Sequence, residues 1–134
     1  MLRQLWNTNP YALDLGLLLL RITMAMLMMT HGWPKFIGYS EKAATFPDPL
    51  GVSHPGSLLL TIFAEVFCSA FLLVGLFSRI VLIPLMFLML VAIFIIHAKD
   101  GLGVKEHAIL FLVPYIALFL AGPGRYSIDR LLKR

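Results

Sequence analysis

Four apolar stretches, residues 12–31, 57–77, 79–97 and 106–121, dominate this chain and dictate its surroundings. Each is close to the roughly 20 residues that a helix needs to cross the hydrocarbon core of a bilayer. Lipid offers no water to bond the backbone, so such stretches fold as helices, whose hydrogen bonds close within the segment. Composition agrees, with 60% of residues hydrophobic and 13% charged. A soluble domain holds about 45–50% apolar and about 25% charged residues. One small core cannot hide the excess, because a chain of 134 residues leaves much of its surface outside. The expected fold is all-α: one integral membrane four-helix bundle spanning residues 1–134, in contact with the lipid bilayer.

The connections set the topology. Helices two and three are joined by little more than Phe77-Ser78-Arg79, and helices three and four by residues 98–105, so neighbours run antiparallel. Helices one and two are separated by residues 32–56, a long loop holding Pro34, Pro47, Pro49 and Pro55. Loops of that length are usually functional or disordered, and this one is expected to cap one end of the bundle. The end carrying the termini then has Arg3, Arg79, Arg125, Arg130, Lys133 and Arg134. The loop end has Lys35, Lys42, Lys99 and Lys105 beside Glu41, Asp48, Asp100 and Glu106. The excess of Lys and Arg marks the cytoplasmic side, so both termini are expected there. The first helix is expected to remain in the protein: its apolar run carries Arg21 and has no A-x-A-like cleavage site. The net charge of +4 sits mostly at helix ends, which speaks against nucleic acid as a partner.

Charges inside a span are costly and face the bundle interior, where they find partners. Arg21 in helix one and Glu65 in helix two are such charges. Measured from the loop ends of their helices, Arg21 lies ten residues from His31 and Glu65 eight from Ser57, so the expected depths nearly match. An Arg21–Glu65 ion pair follows, either as a lock on helix register or as a working pair. Two stripes at three/four spacing frame it. Arg21, Met24, Met28, His31 and Lys35 share one face of helix one. Ser57, Thr61, Glu65, Cys68 and Leu72 share one face of helix two.

The topology also gathers ionisable residues at the loop end: His31, Lys35, His97, Glu106 and His107. One reading is ordinary contact with headgroups and water. Another is a substrate pocket, since histidine titrates near neutrality. A metal site is the third, though no HxxxH or HxxH spacing supports it. Met24 and Met28 would supply a soft wall for an apolar ligand such as a quinone. Cys68 is the single cysteine, so the chain forms no internal disulfide, and a buried structural role is expected for it.

Several segments together resemble the DoxX family: Leu18-Leu19-Leu20-Arg21, His31-Gly32-Trp33-Pro34-Lys35-Phe36, Phe63-Ala64-Glu65, Phe94-Ile95-Ile96-His97 and Gly122-Pro123-Gly124-Arg125-Tyr126-Ser127-Ile128-Asp129. The resemblance covers nearly the whole chain and rests on the order and spacing of these segments. It implies a four-helix protein of a bacterial or archaeal cytoplasmic (inner) membrane, linked to oxidoreductase systems. The leading expectation is a membrane subunit of a redox system that handles a quinone/quinol or a small sulfur compound, with other redox subunits or further copies of itself as partners. In that reading Glu65, Arg21, His31 and His97 carry the chemistry. Lys35, Glu106, His107, Met24 and Met28 bind the substrate. The alternative is a small-molecule transporter or a membrane scaffold without catalysis. The chain holds no CxxC, CxxCH or GxGxxG motif, so flavin or haem attachment by those means is not expected.

Overall fold

The computed structural model describes residues 5–134. Among these residues every regular element is helical: α1 (Pro10–Ile37), α2 (Tyr39–Lys42), α3 (His54–Val74), α4 (Ser78–Ile96), α5 (Leu102–Ala121) and α6 (Ile128–Leu132). The helices α1, α3, α4 and α5 are long and apolar enough to cross a membrane. They form a ring in which each span packs on the next and α5 closes back on α1.

Local chemistry explains most boundaries. Asn9 caps α1 by accepting the Tyr11 N–H at 3.0 Å, and Pro10 follows at the first position, where its missing N–H costs nothing. Ser53 caps α3 by accepting the Gly56 N–H at 3.1 Å. Gly75, at φ 72°, ends α3 in the left-handed conformation that glycine adopts freely.

Two boundaries differ from the sequence expectation in ways that matter. The first helix does not stop at His31; it continues through Pro34 to Ile37. Proline removes a single helical donor, the one the Thr30 carbonyl would have met. The ladder resumes with the Gly38 N–H on the Pro34 carbonyl at 3.0 Å. The second span starts at His54 and stops at Val74, three residues earlier at each end than expected. The six added residues of α1 carry Arg21 away from the loop end, and the three added at the start of α3 offset only part of that.

The interior has two parts. The main cluster joins all four spans through residues such as Met28, Cys68, Leu85 and Tyr115. A smaller one sets Leu58, Ile62 and Val66 of α3 under Tyr39, Ala43 and Phe46 of the long loop. Large apolar side chains such as Leu19, Phe94, Leu110 and Leu120 stand exposed around the ring, as lipid-facing residues do.

Candidate functional site

The polar centre of the bundle is an ion pair between Lys35 and Glu65. The Lys35 ammonium Nζ donates to Glu65 Oε1 at 2.8 Å and Oε2 at 2.6 Å. The side chains are 27% and 7% exposed respectively, so the carboxylate is the deeper partner. Glycine makes the approach possible: a Cβ on Gly32 would lie 2.6 Å from Glu65 Cβ and 2.7 Å from Val66 Cγ2. Here α1 and α3 touch backbone to side chain, and Lys35 follows one turn later.

The expected Arg21–Glu65 pair does not form. Gly32, not Arg21, lies level with Glu65, and the eleven residues between Gly32 and Arg21 place the arginine roughly 16 Å further along the helix. The arginine is 2% exposed, and its guanidinium donates to the carbonyls of Pro123 and Tyr126, each at 2.6 Å. It fastens the α5–α6 connection beside Gly75, at the end carrying the termini. The discrepancy is one of register, because the extra turns of α1 beyond His31 move its midpoint toward the loop end.

Glu65 and Lys35 stand at one end of a cavity of about 470 Å³ between α3 and α4. Ser57 and Thr61 extend the polar edge; Ala64, Leu88, Met89 and Ala92 form the apolar walls, and Phe46, Pro47, Pro49 and Leu50 of the long loop cover the top. Phe63 and Phe87 line the cavity and are also exposed on the outer surface of the ring. Both flanking helices leave α-geometry here, with π-helical turns over Phe63–Cys68 and Ala92–Ile96. The His97 N–H bonds the Ala92 carbonyl five residues back, at 2.9 Å. Such turns insert a residue into the ladder and re-aim side chains, often at functional sites.

The loop covering the cavity is tied down. Asp48 accepts the N–H groups of Val52 and Ser53 at 2.9 and 3.0 Å and the Ser57 hydroxyl at 2.7 Å. The Ser57 bond, with the two backbone bonds, outweighs desolvation and holds the Asp48 carboxyl below the ordinary carboxylate range. His54 Nδ1 lies 2.6 Å from the Phe46 carbonyl and fixes the other side of the loop.

The loop-end residues expected to share one pocket separate into distinct groups. His31 and His107 meet across α1 and α5, Nε2 to Nε2 at 3.0 Å, with Phe111 stacked edgewise on His31. His97 instead pairs with Asp100 of its own chain turn, Nδ1 to Oδ2 at 2.7 Å. Glu106 is exposed, and only Lys35 reaches the cavity. His31 and His107 meet between α1 and α5, whereas the cavity is lined by α3, α4, the loop and Lys35. Among the described residues no three His, Cys, Asp or Glu side chains are grouped as metal ligands. Met24 and Met28 pack in the main cluster with Cys68, and Met89 is the methionine that lines the cavity. The sequence stripe on helix two, in contrast, is buried along its whole length from Ser57 to Leu72. The length of the loop between helices one and two marked it as a cap, whereas Phe87 and Met89 carried no signal as site residues.

Four spans of membrane length, with a part-buried acid–amine pair on the lining of a cavity between two of them, define a multi-pass membrane protein. The chain belongs to the DoxX family, which matches residues 16–98. It is 32% identical over 128 residues to the inner membrane protein YqjF of Escherichia coli (strain K12), covering 90% of this chain and 95% of that protein. It is also similar to the uncharacterized membrane protein Rv3486 of Mycobacterium tuberculosis, 27% identical over 138 residues, covering 86% of this chain and 80% of that one. No solved structure matches the chain. The four spans and these relatives place the protein in the inner membrane.

Proposed function

We propose that the protein is the membrane subunit of a redox system and that its α3–α4 cavity takes the head of a quinone or quinol. The observation that carries this reading is the part-buried Lys35–Glu65 pair on the lining of a largely apolar cavity of about 470 Å³, whose Phe63 and Phe87 are exposed on the outer surface of the ring. A ring with polar oxygens and an isoprenoid tail suits such a site: the walls accept the ring, the pair meets an oxygen, and the tail stays in the bilayer. Binding sites of this kind combine mostly apolar walls with a few placed polar groups.

The residues fit the group in a specific way. Lys35 Nζ carries three protons and uses two on Glu65, leaving one N–H for a ligand oxygen. Glu65 accepts or returns a proton at Oε1 or Oε2, and the ammonium beside it steadies the charge that remains. Thr61 gives its hydroxyl proton to the Ser57 carbonyl at 2.9 Å, so its oxygen is left as an acceptor at the cavity wall. Phe46 and the two prolines of the loop exclude water from above. Bound quinone would supply two-electron chemistry, and a separate subunit of the system would exchange the electrons. Arg21 in this reading holds the α5–α6 connection and positions the bundle. The His31–His107 pair is not part of the cavity lining.

Extraction of the purified protein followed by mass spectrometry tests the reading. The expected result is quinone at an excess over its ratio to lipid in the surrounding membrane, lost in Glu65→Gln and in Met89→Trp, which fills the cavity. Quinone at the bulk-membrane ratio in all three proteins would sink it and favour a scaffold without chemistry.

A further inference from the structure

The end of the bundle that carries the termini holds a second cavity, of about 630 Å³, which shares no lining residue with the first. Five cations line it: Arg79 at the start of α4, Arg125 in the α5–α6 connection, and Arg130, Lys133 and Arg134 on and after α6. Its two acids, Asp14 and Asp129, are already engaged by backbone. Asp129 accepts the N–H groups of Phe77 and Ser78 at 2.7 and 2.8 Å, and Asp14 accepts the Arg125 N–H at 3.0 Å. Among the described residues the ion pairs are Lys35–Glu65 and His97–Asp100, so none of these five cations has a carboxylate within 4.0 Å. Five cations against two acids leave the lining of this cavity with an excess of positive charge, which Lys133 near Asp129 offsets only in part.

The arrangement is held in place. Arg79 donates to the carbonyls of Phe119 and Leu120 at 3.1 and 3.3 Å, and Arg125 lies 5.6 Å from the centre of the Tyr11 ring. Arg21 clamps Pro123 and Tyr126 from inside the bundle. Arginine and lysine together present donors suited to an oxyanion, above all the three free oxygens of a phosphate ester. Phe77 and Ile80, on the same cavity wall, are exposed toward the lipid-facing surface. A ligand that is anionic at one end and hydrocarbon at the other would satisfy both parts of this surface.

We propose that this cavity binds the phosphate group of an anionic membrane phospholipid, its acyl chains lying over Phe77 and Ile80. The same cations would take a soluble phosphate, and the apolar wall is the reason to favour the lipid. Basic pockets at the ends of membrane helices bind acidic headgroups in this way, each near-surface cation contributing about fivefold to affinity.

Binding to the delipidated full chain in detergent, followed by native mass spectrometry and thermal melting, tests the proposal with three separate additions: phosphatidylglycerol, phosphatidylcholine and inorganic phosphate. Phosphatidylglycerol should bind and raise the melting temperature, phosphatidylcholine should do neither, and inorganic phosphate should protect less than phosphatidylglycerol. The triple variant R130Q/K133Q/R134Q should lower phosphatidylglycerol affinity by roughly a hundredfold. The variant K42Q/K99Q/K105Q loses the same charge at the other end and should stay within about twofold of the parent. Should the first variant fail to fold, K133Q alone should give about a fivefold loss. Equal binding of the two lipids, or equal losses in the two triple variants, would overturn the site. Protection by inorganic phosphate matching that by phosphatidylglycerol, lost in R130Q/K133Q/R134Q, would overturn the lipid assignment.

Discussion

Gly32 lies against Glu65 so closely that the smallest side chain would put a Cβ 2.6 Å from Glu65 Cβ and 3.0 Å from the Glu65 carbonyl carbon. This contact fixes the register of α1 on α3 and brings Lys35 to the carboxylate. Two effects of Gly32→Ala oppose each other. Helix propensity favours alanine by about 1 kcal/mol. Overpacking against backbone and a β-carbon costs about 1–3 kcal/mol. Packing should win, and a lower melting temperature in detergent is expected. A rise would mean that α1 moves aside without loss.

The ion pair should respond unequally to loss of either partner. Lys35 is partly exposed and its long stem can carry the ammonium toward the loop end, whereas Glu65 is enclosed. Breaking a fully buried pair costs about 3–5 kcal/mol. Lys35→Met, which strands the carboxylate, should approach the lower part of that range, and Glu65→Gln should cost about half as much. The double change Lys35→Met with Glu65→Leu should recover most of the loss. Thermal melts of the three variants decide the matter; a milder effect for Lys35→Met than for Glu65→Gln would contradict the burial order.

Arg21 joins two carbonyls through separate nitrogens, a geometry that one ammonium cannot copy. Arg21→Lys should cost about 2 kcal/mol, near the value of one charge-assisted hydrogen bond. Limited proteolysis should then cut first within residues 122–134. Unchanged cleavage there would remove Arg21 as the clamp of that segment.

Asp129 links the two ends of the chain's second half. Burial works against its charge, but the N–H bonds from Ser78 and Phe77 and the nearby Lys133 outweigh burial and hold the carboxyl below the ordinary range. A carboxyl lowered in the folded state adds stability in full above its unfolded value, about 3.9. That contribution fades as pH falls through the lower, folded value. Melting temperature should therefore drop on acidification below about pH 4, and Asp129→Asn should be less stable near neutrality with a shallower drop. Parallel pH profiles for the two proteins would exclude this contribution.

The charge distribution predicts that the end carrying the termini faces the cytoplasm. Arg79, Arg125, Arg130, Lys133 and Arg134 stand at one end, and the loop end carries acids among its lysines. In a Cys68→Ser background, Thr45→Cys should react with an impermeant thiol reagent in intact cells. Lys133→Cys should react only after the membrane is opened. Reaction of Lys133→Cys in intact cells would place the termini outside.

Hydropathy alone determined that this chain is helical, crosses the membrane four times and brings its ends to one side, because lipid leaves the backbone no other economy of hydrogen bonds. The cost of charge in lipid likewise marked Glu65 and Arg21 as inward-facing and partnered. What the sequence could not decide was who partners whom. A long apolar helix carries weak stop signals, and the slide of α1 through Pro34 to Ile37 moved Arg21 away from Glu65 and put Lys35 in its place. The π-turns and the absence of His31 and His107 from the cavity lining were not legible either. The register of α1 on α3 depends on which small residue lets the two helices approach, and the close contact of Gly32 with Glu65 and Val66 set it.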